Sequence, residues 1–65
     1  MKASEVKIGQ LILVKGFGLC VVMKFFAPAY IGVVVVDPSW PSIMGEWRYL
    51  RGLDFDEAEI LADGN

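Results

Sequence analysis

The chain predicts a mainly β fold: one domain over residues 1–65, built as a small five-stranded antiparallel sheet that is strongly bent or closed into a barrel. Three observations predict it. The apolar runs 11–14, 19–26 and 30–36 are short and rich in β-branched residues, as strands are. Glycine and proline punctuate them at brief intervals. Several short strands joined by tight turns in so small a chain must curl to bury one another.

Each element follows from local chemistry. Residues 5–15 read as a lead-in loop, broken by Gly9, and a first strand with Leu11 to Val14 as its apolar body. Gly16-Phe17-Gly18 is a turn, since glycine adopts positive φ without a Cβ clash. Residues 19–26 form the second strand. Ala27-Pro28-Ala29 connects it to the third, because proline removes a ladder donor and restricts its predecessor. The third strand is 30–36, with Gly32 marking a bend or bulge. Asp37-Pro38-Ser39-Trp40-Pro41-Ser42 is a loop. A fourth strand covers 46–51, a short turn of 3₁₀ type covers 52–55, and a fifth strand covers 57–61. A helix over 54–61, with Asp54 as its cap and Glu57 three residues on, is the alternative there.

Side chains alternate along strands, so solvated charges assign faces. With Lys24 in water, Cys20, Val22 and Phe26 share its outward face, while Val21, Met23 and Phe25 point inward. In the first strand Ile12 and Val14 point inward, and Leu11 and Leu13 outward beside Lys15. With Asp37 solvated, Ile31, Val33 and Val35 also point outward. The outward set Leu11, Leu13, Cys20, Val22, Phe26, Ile31, Val33 and Val35 would form an apolar patch of several hundred Å², at or above what a soluble monomer shows. Covering it is worth on the order of 10 kcal/mol before association costs, so it is expected to be a subunit interface. A sheet coiled enough to cover both its faces, or a C-terminal helix laid over one, is the other solution.

Composition points the same way. A domain of 65 residues buries too little surface for ease, and many of this size rely on a disulfide, a metal or oligomerisation. Cys20 is the single cysteine and histidine is absent, so neither an intrachain disulfide nor a Cys/His zinc site is available. A homo-oligomer is therefore expected, with no cofactor and no metal. Hydrophobic residues make up 55% of the chain, above the range for ordinary globular domains.

The net charge of −2 and a pI near 4.8 disfavour nucleic acid as a partner. The charge is uneven: residues 1–36 carry four lysines and one acid, and residues 37–65 carry two arginines and seven acids. Oppositely charged segments then lie side by side in the fold, or meet across a subunit contact. Met1-Lys2-Ala3-Ser4-Glu5 opens no apolar stretch, so no signal peptide is expected, and a lone cysteine makes the cytoplasm the expected compartment. Residues 17–36 are long enough to span a bilayer and hold only Lys24 as a charge. Gly18, Pro28, Gly32 and the valine run favour strands over a membrane helix, so no membrane is expected.

Val6-Lys7-Ile8-Gly9-Gln10-Leu11-Ile12-Leu13-Val14, then Gly16-Phe17-Gly18 and Val21-Val22, resemble the opening hairpin of Src-homology-3-like barrels, the pattern of Tudor, KOW and CarD-type domains. Residues 54–61 resemble the closing 3₁₀ turn and last strand of such barrels. The resemblance covers about half the chain and implies the fold alone. The Tudor aromatic cage and the basic KOW surface have no counterpart here.

Catalysis has little to work with. Ser4, Ser39 and Ser42 have no evident base, and Cys20 lies within an apolar strand, where a thiol is ordinarily inert packing. Asp54, Asp56, Glu57 and Glu59 lack the spacing and glycine of a calcium loop and read as a solvated acidic segment. Gly16-Phe17-Gly18 leads into a strand, so it offers no helix N-terminus to a phosphate.

The aromatics are the binding candidates. Trp47 and Tyr49 share a face of the fourth strand, with Trp40 in the proline loop, Tyr30 nearby, and Arg48 and Arg51 to meet a carboxylate or to pair on the surface with Glu46 or Asp54. Such a groove suits an extended or proline-rich peptide. Alternatively Trp47 and Tyr49 fill the core and Trp40 pins the loop. The expected function is a non-catalytic binding and assembly module acting through protein contacts and self-association. A nucleic-acid-associated accessory domain is the alternative, and an enzyme whose site forms at a symmetric subunit junction is a third class.

Overall fold

The structure is a computed structural model that describes residues 1–62. After a 3₁₀ turn at Ala3–Glu5 come β1 (Leu11–Val14), β2 (Gly18–Ala27), β3 (Tyr30–Val35), β4 (Trp47–Leu50), the short helix α1 (Leu53–Glu57) and β5 (Glu59–Ala62). The five strands form one antiparallel sheet in the order β4-β3-β2-β1-β5, an open sheet and not a closed barrel. Both expectations for the C-terminal segment hold in part: a helical turn forms, and a strand follows it. Gly52, not Asp54, precedes the helix, and no side chain caps it. Residues 17–36 supply β2 and β3, and among the described residues no helix is long and apolar enough to cross a membrane.

The core lies on the inner face of the sheet. Ile12 and Val14 point into it as expected. The assignment of β3, and of β2 as far as Val22, is reversed, however: Cys20, Val22, Ile31, Val33 and Val35 are all 0% exposed and form the centre of the core with Leu50 and Phe55. Val6 and Ala58 complete the buried cluster, so the N-terminal segment and the residue that ends α1 contribute its remaining members. Leu11, half-buried, and Leu13, exposed, keep their expected outward side.

The reversal has one cause in each strand. In β2 the register with β3 runs Val22↔Val33 and then Lys24↔Gly32, so two steps of β2 oppose one step of β3. This bulge at Met23 breaks the alternation between Val22 and Lys24. Lys24 still reaches water, while Val22, Cys20 and their partners are buried. Val21 turns outward opposite Val34 and Leu11, and Met23 is exposed in the bulge, while Phe25, opposite the buried Ile31, keeps its expected inner side with its ring partly in water. In β3 the premise of a freely solvated Asp37 fails. The strand ends at Val35, and Asp37 folds back to accept a hydrogen bond from Leu19 N at 3.0 Å through Oδ2.

Turns hold the register. Ala27 pairs with Tyr30 across Pro28 and Ala29, and Ala29 has φ +61°. Proline first and a left-handed residue second is the arrangement of a type II turn. Gly45, at φ +88°, donates to Val35 O at 2.7 Å, and Val35 N donates to Glu46 O at 3.0 Å. Gly45 and Glu46 together therefore oppose Val35 as a glycine bulge, which delays the start of β4 from Glu46 to Trp47. Gln10 is the buried polar residue of the described chain. Its Oε1 accepts from Lys7 N at 2.7 Å and its Nε2 donates to Glu5 O at 2.9 Å, which ties the N-terminal segment to β1. Among the described residues the two charge-biased halves share one surface ion pair, Lys15 Nζ to Glu57 Oε2 at 3.9 Å, a contact of little weight.

Gly18 is the tightest of these positions. At φ +73°, a Cβ there would stand 2.2 Å from Asp37 Oδ2 and 2.8 Å from Trp40 Cδ1. Gly18→Ala therefore combines left-handed strain with displacement of Asp37 from Leu19 N. An expected loss is about 2–4 kcal/mol, against about 1 kcal/mol for Gly16→Ala, whose Cβ would meet nothing. Urea unfolding of the two variants measures both losses. Equal losses would remove the role given to the Asp37 and Trp40 contacts.

Candidate functional site

The outward face of the sheet carries the site. Because Ile31 and Val33 point inward, Gly32 between them opens outward. A Cβ on Gly32 would stand 3.1 Å from Phe26 Cε2 and 3.1 Å from Trp47 Cζ3, so the absent side chain lets two rings close over the backbone. Phe26 sits at the centre. Its ring centroid lies 5.1 Å from that of Tyr30 and 5.6 Å from that of Tyr49, tilted by 41° and 55°. Such inclined pairs satisfy the ring quadrupoles better than a face-to-face sandwich.

Two cations border the rings. Lys24 Nζ lies 5.3 Å from the Phe26 centroid, and Arg51 Cζ lies 5.9 Å from that of Tyr30. A shallow depression of about 370 Å³ is lined by Lys24, Phe26, Trp47 and Tyr49. Trp47 is 47% exposed, Tyr49 58% and Phe26 43%, so these rings are not core. Large rings left half in water can receive planar or apolar groups and give contact area at low entropic cost.

The expected aromatic set is brought together in part. Trp47, Tyr49 and Tyr30 gather around Phe26, a residue expected at a subunit interface. Trp40 does not. It packs beside Gly18 and Asp37 at the start of β2, eight residues from Phe26, or about 25 Å along a strand. Arg48 lies on the other face, since it pairs with the inward Val33. Its guanidinium donates to Glu46 Oε1 and to Trp47 O, both at 2.9 Å, and stands 5.7 Å from the Phe17 ring. Sequence reasoning missed Lys24 and Gly32 as members of the site, and it placed Arg51 there beside Arg48. The signal for Gly32 was present, because a glycine inside a strand marks either a bulge or a close approach.

A row of apolar side chains continues from the rings. Trp47 pairs with Val34, Val34 with Val21 and Val21 with Leu11, all on the outward face. An apolar outward face therefore exists, but in β2 and β3 its members are the residues between those expected.

Elsewhere the chemistry is quiet. Burial, and after it the nearby Asp37 carboxylate, push the Cys20 thiol up to about 11, while Arg48 opposes the shift. Its Sγ donates weakly to Gly18 O at 3.7 Å. Such a thiol is protonated at neutral pH and shielded from reagents. Among the described residues no cluster of three or more His, Cys, Asp or Glu is placed to hold a metal ion. Compared with protein-family models, with curated proteins and with solved structures, the chain matches none.

Asp37 is the titratable hinge of the region beside Trp40. Ser39 N donates to its Oδ1 at 2.9 Å and Leu19 N to its Oδ2, and these two bonds hold its carboxyl below the usual aspartate range. A lowered folded-state value means that its contribution to stability is complete above about pH 4 and is lost as the pH falls through the lowered value. Asp37→Ala is expected to be less stable than the natural chain at pH 7. The gap should narrow on acidification below about pH 4. Urea unfolding of both proteins across that range checks it, and a gap independent of pH would contradict the role given to the carboxylate.

Proposed function

We propose that this protein is a small non-catalytic binding and assembly module that acts through protein–protein contacts and self-association. The observation that carries this reading is the outward face: an apolar row of Leu11, Val21, Val34 and Trp47 runs across four strands and ends in four exposed or half-buried rings. A face of this kind in a chain with no disulfide gains stability when a protein surface covers it. The order β4-β3-β2-β1-β5, with a helical turn leading into the last strand, supports the Src-homology-3-like reading of the hairpin and closing segment. A buried free thiol is in keeping with a cytoplasmic setting.

One observation favours a second reading, an accessory domain for single-stranded nucleic acid: rings bordered by Lys24 and Arg51 are what base stacking and phosphate contact use. The overall charge of −2 opposes it. A gel shift that appears at low salt and fades as salt rises would favour it.

Self-association is read by size-exclusion chromatography with light scattering at micromolar concentration. The natural chain is expected to elute as a dimer or larger. Val21→Lys and Val34→Lys, each at the middle of the apolar row, are expected to shift it to monomer with unchanged far-ultraviolet dichroism. A monomer for the natural chain would overturn self-association.

A further inference from the structure

β4 is the last strand on its side of the sheet. Antiparallel ladders alternate positions that bond to the neighbour with positions that bond away from it. Val35 exchanges bonds with Gly45 and Glu46, which makes that pair a bonded one. Stepping by two, Val33 with Arg48 and Ile31 with Leu50 are bonded as well. Trp47 and Tyr49 therefore turn their backbone N–H and C=O groups away from β3, toward the open edge. The Arg48 guanidinium donates to Trp47 O at 2.9 Å, which agrees with that direction. The Trp47 N–H and both backbone groups of Tyr49 have no backbone partner among the described residues. The rings of these same two residues stand on the outward face. One edge thus offers ladder groups and side-chain contacts together.

We propose that the β4 edge takes up an extended acidic segment of a partner protein as an added strand. This rests on the protein-binding reading and supplies the chemistry of the partner. The free ladder groups call for an extended backbone, because only a strand presents N–H and C=O at matching intervals. The rings of Trp47 and Tyr49 receive apolar side chains on the outward face of that strand. The charge selects acidic residues at the other positions of the same face, where Lys24 and Arg51 border the rings. Arg48, on the opposite face, is already paired with Glu46 at 2.9 Å and is left out of that balance. The edge is thus locally cationic on a chain whose net charge is −2. A second copy of this chain fits poorly, since pairing β4 with itself would gather two Arg48 and two Arg51 side chains on one seam. A nucleic acid would use the rings and cations but leave the outward backbone groups unanswered.

The test uses a short fluorescent Glu-Val peptide of repeating Val-Thr-Glu-Thr, which as a strand puts Val and Glu on one face, measured by polarisation against the natural chain. Its companions are the Lys-Val counterpart, two versions of the Glu-Val peptide N-methylated on one or the other alternate set of amides, and oligothymidylate. The Glu-Val peptide is expected to bind, and the Lys-Val peptide at least about tenfold more weakly. One N-methylated version should lose about tenfold and the other should bind as the parent does, because only one set of amides faces β4. Hydrogen exchange at the Tyr49 amide should slow in the complex. If both methylated peptides bind like the parent while Trp47→Ala and Tyr49→Ala each weaken binding, the added strand is wrong and the protein-binding reading stands. If the peptide binds and neither ring substitution affects it, both fall. Tighter binding of oligothymidylate than of the Glu-Val peptide, or no binding of the peptide, also overturns the proposal.

Discussion

The structure depends on a conflict within β2 and on its resolution. Val22 and Lys24 lie two positions apart, where regular alternation gives both side chains the same face. One belongs in a core that is closed to water, and the other carries a charge whose burial would cost far more than the whole stability of so small a domain. The bulge at Met23 separates them. Once it is in place, Cys20 and Val22 face Val35 and Val33 in the core, and Lys24 stands over the outward face beside Phe26.

The functional surface follows from the same event. The bulge sets Lys24 opposite Gly32, and the missing side chain of Gly32 makes room for Phe26 and Trp47 to close over the strand. A second irregularity, between Phe25 and Ala27, keeps Phe26 on that face near Tyr30. At the far side the bulge at Gly45 and Glu46 fixes which residues of β4 bond to β3, and leaves Trp47 and Tyr49 to present both ring and backbone outward. Three departures from regular pairing therefore place one cluster of rings and one unfinished edge.

Strand number, turn positions and the apolar runs were legible in the sequence because they rest on local chemistry: β-branched residues, Gly16 and Gly18, Pro28, and the prolines after Asp37. Orientation was less so. Faces were assigned by carrying alternation from a single charge along each strand, and that inference fails wherever a residue is inserted between the charge and the core. Lys24 misled β2 through the bulge. Asp37 misled β3 because its carboxylate binds Leu19 N and Ser39 N instead of water alone. Trp47 and Tyr49 were legible as a pair on one face. That they meet Phe26 depends on long-range pairing of β2, β3 and β4, which no local pattern encodes. Trp40 and Arg48 were separated from them by the same long-range geometry.

Cys20 reports directly on which face of β2 is buried, since it is the single cysteine of the chain. Its reaction with a thiol reagent under native conditions is the sharpest test, run beside Val34→Cys in a Cys20→Ala background that also carries Val21→Lys, so that no second copy covers the face. With the bulge as described, Cys20 labels only as the protein unfolds, and the cysteine at position 34 labels rapidly in the folded state. Rapid labelling of Cys20 with protection at position 34 would contradict the inner and outer faces assigned to β2 and β3, and with them the site.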